Sequence, residues 1–248
     1  MDAASPSQAD FGARLAARDL SLFQVRSQTK PDDKASLLAI QEVVRGQADG
    51  YAYIEVGSHL GGTLTPHLQD PRCRSVVSID ARPAWQPDVR GRAFDYPENS
   101  SARMIQTLRE TAPAADLGKL VTFDTDASQV DAVVEPANLI FIDGEHTNTA
   151  VFRDFLSTWR FARPDCVVAF HDSNLIFDGL QNIEALLDSQ GVAHASFFLP
   201  LNVFALAVGE FITSAREQLG PLAHDRDAFV AASRDALWDE IAASRASA

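Results

Sequence analysis

The chain has 248 residues, 46% of them apolar and 22% charged, enough to bury a full-sized core in one domain. Its formal charge of -13 repels phosphate backbones and argues against nucleic acid as a partner. No apolar run approaches the ~20 residues of a membrane span. MDAASPSQADFGARL lacks the basic start and apolar core of a secretory signal, and Cys73 and Cys166 form no CxxC or zinc spacing, so a soluble, cytoplasmic protein with no membrane partner is expected.

Residues 1–9 read as an irregular leader. A short helix is predicted over 10–24 and a firmer one over ASLLAIQEVVRG (35–46), closing near Gly46. Short apolar runs then alternate with helical stretches. Strands are predicted at 51–56, 75–80, 120–124, 138–143 and 166–171, and helices at 61–69, 99–111, 127–134 and 147–160. That alternation describes βαβ units in a sheet covered on both faces. After a helix at 179–191, the runs 194–200 and 202–209 lie close enough to pair as a hairpin, with Pro200 and Asn202 at the turn. The expected fold class is therefore α/β: a Rossmann-like, mostly parallel seven-stranded sheet with a C-terminal antiparallel hairpin and helices on both faces.

Residues 212–246 predict one or two surface helices. The whole chain, 1–248, reads as one domain with a helical cap at 1–48 and a helical extension at 212–248. An amphipathic terminal helix covers its own core or a second copy, which leaves a homo-oligomer open. Residues 81–98 are irregular. They form either a surface connection or a substrate entrance, to which Trp85, Phe94 and Tyr96 would contribute. His67 and His224 are expected on helices away from the strand tips, and Trp159, Trp238, Phe197, Phe198 and Phe204 in packing.

Two pairs of strand ends carry polar residues that packing does not need. In EVGSHLGGTL (55–64), Gly57 directly follows a strand, and Gly61 and Gly62 are placed at the start of a helix whose free N–H groups favour a polar or anionic ligand. The next strand ends in Asp80, positioned to accept from ribose hydroxyls. The spacing E-x-G-x-x-x-G-G is looser than the dinucleotide G-x-G-x-x-G and favours a nucleoside without a pyrophosphate. Asp126, Ala127, Ser128 and Gln129 follow the third strand, where they flank a base or cap a helix.

At the other pair, NLIFIDGEH stops in Asp143, Glu145 and His146, and CVVAFHDSN stops in His171 and Asp172. Ligands in open α/β sheets sit beyond the carboxyl ends of the strands. Crowded carboxylates call for a cation, so Asp143 and Asp172 are the firmer ligands of a divalent metal, magnesium or manganese, with His171 the third. Imidazole suits manganese better than magnesium. His146 is suited to accept a proton as general base. Glu145 and Asn174 stand beside this group or in solvent.

YIEVGSHLGGT, Asp80, FIDGEH and VVAFHDSN together resemble class I S-adenosylmethionine-dependent methyltransferases over about residues 51–208. More narrowly they are similar to the small metal-dependent O-methyltransferases of catechol and sugar or natural-product type. The resemblance implies that Glu55, Gly57, Ser58 and Gly61 hold the methionyl end of S-adenosylmethionine. Asp80 would take its ribose, and Asp126, Ser128 and Gln129 would approach its adenine. Asp143 would be the first metal ligand and would also border the cofactor. His171 and Asp172 align with a ligand pair that is Asp then Asn in catechol-type enzymes, and His146 aligns with their lysine base. The implied reaction is methyl transfer to a small hydroxylated acceptor such as a vicinal diol, catechol or sugar. Competing readings are a metal-dependent hydrolase using the Asp/His rim, a nicotinamide-dependent oxidoreductase lacking its usual glycine turn, and a non-catalytic cofactor-binding protein.

Overall fold

A computed structural model describes residues 8–246. Most of the expected leader and the last two residues of the expected extension lie outside them. In chain order the elements are α1 (Gln8–Ala16), α2 (Pro31–Gln47), β1 (Tyr51–Val56), α3 (Thr65–Gln69), β2 (Cys73–Ile79), β3 (Trp85–Pro87) and β4 (Ala93–Asp95). Then come α4 (Ser101–Thr111), β5 (Leu120–Phe123), β6 (Ala137–Ile142), α5 (Asn148–Trp159), β7 (Ala162–Phe170) and α6 (Phe177–Ser189). The chain closes with β8 (His194–Phe198), β9 (Phe204–Val208), α7 (Phe211–Gln218) and α8 (Arg226–Ala246).

Seven strands form one sheet in the order β5-β2-β1-β6-β7-β9-β8. All neighbours are parallel except β9, which runs antiparallel between β7 and β8. The order reverses between β1 and β6, so a crevice opens where their carboxyl ends diverge. Alternation along each central strand builds two cores. Tyr53, Leu139, Phe141, Val167 and Ala169 face a layer formed by α2, α3, α4 and α7. Ile54, Val56, Ile140, Ile142, Val168 and Phe170 face α5, α6 and α8. Among the described residues, no helix is long and apolar enough to cross a membrane.

Several local expectations change. Gly46 lies inside α2, which runs on to Gln47. The helix expected over 10–24 stops at Ala16, and a single 3-10 turn follows at Leu20–Leu22. The helix expected from Gly61 begins only at Thr65, and that expected over 127–134 is one 3-10 turn, Ala127–Gln129. The irregular stretch after β2 contains the antiparallel pair β3–β4. This small hairpin is docked on the sheet's rim by Val89 N–H, which donates to the His146 carbonyl at 3.1 Å.

Candidate functional site

The loop after β1 is shaped by its neighbours first. Gly57 has φ +89, and a Cβ there would lie 2.1 Å from the Asp143 carbonyl oxygen. Glycine is thus required by the approach of the two strand ends rather than by room for a ligand. Gly61 also sits in the left-handed region, at φ +80, and turns the chain before α3 starts. The free N–H groups expected at Gly61–Gly62 therefore belong to a turn and not to a helix. A Cβ on Gly62 would meet Ser27 Cβ at 2.6 Å, because the segment between α1 and α2 lies across this loop.

Glu55 does not face the crevice, contrary to expectation. Its carboxyl is fully buried, accepts from Tyr53 Oη at 2.5 Å and Thr63 Oγ1 at 2.6 Å, and is pushed by burial up to about 8. It braces the glycine-rich turn from beneath through Thr63. Ser58 does border the crevice, and its buried hydroxyl has no hydrogen-bond partner among the described residues; Ser27 Oγ is in the same condition. Such atoms are rare in finished interiors and fit a polar ligand.

Asp80, at the tip of β2, is buried. Its Oδ2 accepts from His59 N–H at 2.9 Å and its Oδ1 from Arg82 N–H at 2.7 Å. The Arg82 guanidinium stands 3.3 Å from the same carboxylate and donates to the His59 carbonyl at 2.6 Å. Two cavities meet here, of about 250 and 220 Å³, sharing Gly57, Asp80 and Gln86. The smaller runs toward Asp126, Ala127 and Asp154. Asp126 caps the turn that follows it, accepting from Ser128 N–H at 2.9 Å, so its two expected roles coincide. Ser128 and Gln129 are exposed and do not border that cavity.

The larger cavity ends at the tips of β6 and β7. Asp143, His146 and Asp172 each present a ligand atom there, all within 4.8 Å of one another. His146 Nδ1 lies 3.1 Å from Asp172 Oδ2, and its Nε2 lies 3.8 Å from Asp143 Oδ1. The candidate metal-binding triad therefore contains His146 where the sequence suggested His171. His171 is clamped among three carboxylates. Its Nδ1 is 3.1 Å from Asp143 and 3.3 Å from Asp172, while Nε2 faces Asp33 at 3.3 Å. Burial opposes a charge on this ring, but the Asp143 carboxylate beside it holds its pKa well above the usual histidine value. Burial likewise opposes ionisation of Asp172, yet contact with His171 brings its pKa down to about 2. His146 is shifted upward as well: burial works against its charge, and Asp143 and Asp172 outweigh it. Asp172 adopts φ +52, uncommon outside glycine though tolerated by aspartate, a backbone state that clusters at functional sites.

Asp33 was not singled out from the sequence, where KPDDK reads as an ordinary helix start. It is buried at the first turn of α2 and accepts from Asn202 N–H at 2.9 Å. Arg82 and His59 were also missed, since neither belongs to a motif. Phe94 and Tyr96 line the larger cavity as expected, whereas Trp85 is 59% exposed and borders the smaller one. His67 stacks on Tyr53 at 3.7 Å in the core, and His224 stacks on Phe229, both away from the rim. Glu145 accepts from the Thr147 hydroxyl, and Asn174 lies outside both cavities.

A family model described as a methyltransferase domain matches residues 54–173, which run from the second half of β1 through β2, β6 and β7 and include every member of the triad. The calicheamicin methyltransferase CalS11 superposes with a TM-score of 0.56 at 18% identity, covering 84% of this chain and 95% of that one. An O-methyltransferase from Bacillus cereus in complex with SAH gives 0.49 at 13% identity over 84% and 94%. Cofactor-bound Rv0187 from MTB gives 0.49 at 13% identity over 80% and 88%. The fold assignment rests on the first of these. No curated protein matches the chain. The chain has a class I methyltransferase fold, with a candidate metal-binding triad at its rim.

Proposed function

We propose that the chain is an S-adenosylmethionine-dependent, divalent-metal-assisted O-methyltransferase acting on a small hydroxylated acceptor with vicinal oxygens. The observation that carries this reading is the double position of Asp143. Its backbone packs against Gly57 in the cofactor loop, while its carboxylate belongs to the triad. One residue thus ties the expected methyl-donor site to the expected acceptor site.

Gly57 and Ser58 would hold the methionyl end of the cofactor, the Ser58 hydroxyl gaining the partner it lacks. Asp80 keeps acceptor capacity for a ribose hydroxyl at Oδ1, which takes only the Arg82 N–H, whereas Oδ2 faces both the His59 N–H and the Arg82 guanidinium. The cavity beside Asp126 and Ala127 would take the adenine. S-adenosylmethionine supplies an activated methyl group, so the protein's task is chiefly alignment.

Asp143, His146 and Asp172 would hold the cation. Two carboxylates and an imidazole suit manganese better than magnesium. The cation supplies charge that lowers the pKa of an acceptor hydroxyl. In this arrangement His146 is a ligand, which replaces the role of base inferred from its sequence position. His171 holds both carboxylates in register and is itself held by Asp33. Phe94 and Tyr96 would flank the acceptor and limit water.

Calorimetric titration of S-adenosylmethionine, first metal-free and then with manganese or magnesium, tests the reading. Micromolar binding is expected, with a linked metal signal that Asp143→Ala abolishes. Absence of cofactor binding under every condition would overturn it. The rim would then be read as a hydrolase centre.

A further inference from the structure

The charges around the larger cavity do not balance one another evenly. Asp80 is engaged by Arg82, Asp33 and Asp143 by His171, and Asp172 by both His146 and His171. Arg90, although it reaches the cavity, is held by Asp88 at 2.6 Å and by Glu240 at 3.1 Å. His59 is shifted down by burial, toward its neutral form. Arg26 and Lys30 remain. Both are exposed, both line the cavity, and neither side chain has an ion pair or hydrogen bond to an acidic partner among the described residues. In a chain of net charge -13, two cations lining one cavity with no acidic partner among the described residues is the less expected outcome.

Their segment is also fixed in place. Val25 is buried, Gln24 N–H donates to Thr65 Oγ1 at 3.2 Å, and Ser27 packs on Gly62. Lys30 directly precedes α2, one turn before Asp33, which touches His171 at the acceptor end. The two cations therefore stand on a strap packed against the cavity, Lys30 at the end nearest Asp33 and His171, and Arg26 next to Ser27 at the Gly62 loop.

We propose that Arg26 and Lys30 form an anion subsite, and that the acceptor carries a carboxylate or phosphate in addition to its hydroxyls. This rests on the reading of the cavity as an acceptor site. The triad would engage the hydroxyl end, and the strap would clamp the acid at the other. Charge-assisted hydrogen bonds of this kind change affinity by about tenfold or more.

The test uses two probes that differ in one charge, 3,4-dihydroxybenzoate and 3,4-dihydroxybenzamide. Each is titrated calorimetrically into the full chain with manganese and saturating S-adenosylhomocysteine. We expect the benzoate to bind about tenfold tighter than the benzamide. In the Arg26→Ala/Lys30→Ala double variant the two affinities should become equal, with S-adenosylhomocysteine affinity held within about twofold of wild type. Both residues are exposed and belong to none of the buried core clusters, so the variant keeps its core. Equal affinities in the wild type, or binding of neither probe, would overturn the inference. So would a double variant that loses S-adenosylhomocysteine instead, since the pair would then serve the cofactor's own carboxylate. Failure of the wild type to bind S-adenosylhomocysteine at all would strike the proposed function itself, a result separable from the others.

Discussion

The two halves of the rim solve the same electrostatic problem differently. At the tips of β1 and β2, Asp80 is compensated by groups that cannot leave, backbone N–H groups and Arg82, while Glu55 is buried beside Tyr53 and Thr63 with its proton retained to about pH 8. At the tips of β6 and β7, acids are compensated by His146 and His171, whose charge depends on their surroundings. A cation can take the place of a proton there, whereas nothing readily displaces the compensation at the first half. The first half is thus ready for an organic ligand with no change of charge, and the second couples ion binding to proton release.

The change that should disturb both halves most is Gly57→Ala. The added Cβ would press on the Asp143 backbone from a position where an L-residue is already strained. We expect destabilisation of about 2–5 kcal/mol in chemical denaturation, with cofactor and metal binding weakened together. A variant that lost only one of the two would break the link drawn through Asp143.

Glu55→Gln isolates the first half. The folded state holds the Glu55 proton until about pH 8, whereas an unfolded chain releases it near the ordinary glutamate value. This residue's contribution is therefore fully present at low pH and is lost as pH rises from roughly 4.5 toward 8. The neutral glutamine removes that slope. Urea melts at pH 5 and pH 8.5 should show the variant gaining on the wild type by a few kcal/mol at the higher pH. Parallel curves would mean that Glu55 ionises in the folded protein near its ordinary value. The second half is addressed by His171→Asn, which leaves the triad intact and removes its brace. Manganese affinity should fall about 10–100-fold, while an unchanged affinity would make His171 a packing residue.

The sequence made the first half more legible than the second. β1 falls at the residues expected, because YAYIEV is bounded by glycines and alternates cleanly between two cores. β7 starts four residues before its apolar run, since Ala162 pairs with Ala137 ahead of a register irregularity between Ala137 and Leu139. The β3–β4 hairpin was hidden because its strands are only three residues long, include Pro87, and dock against the His146 loop. That His146 rather than His171 completes the candidate triad was not readable at all. Strand position puts both rings at one rim, but His171 Nε2 faces Asp33, more than a hundred residues upstream. Ser128 and Gln129 failed as cavity residues for a similar reason: a one-turn 3-10 segment points them outward, where the pattern had implied a longer helix.

The smallest expected effect concerns the lid over both halves. Asp88 is buried and gathers the Arg90 and Arg92 N–H groups and the Arg90 guanidinium into one turn of the β3–β4 hairpin. From outside, Glu240 on α8 reaches Arg90 at 3.1 Å and Arg92 at 3.2 Å. Glu240 is 41% exposed in its side chain, so Glu240→Gln should cost no more than about 0.5 kcal/mol of global stability. Its local effect should be larger than its global one, because a hairpin with three-residue strands has little else on its outer side. Hydrogen exchange should quicken at Trp85–Asp95, and the acceptor KM should rise about two- to threefold at unchanged cofactor affinity. If exchange stays slow, the Val89–His146 hydrogen bond and the Asp88 turn suffice to hold the hairpin. The coupling between α8 and the cavity would then be absent, and the lid would belong to the reactive half alone.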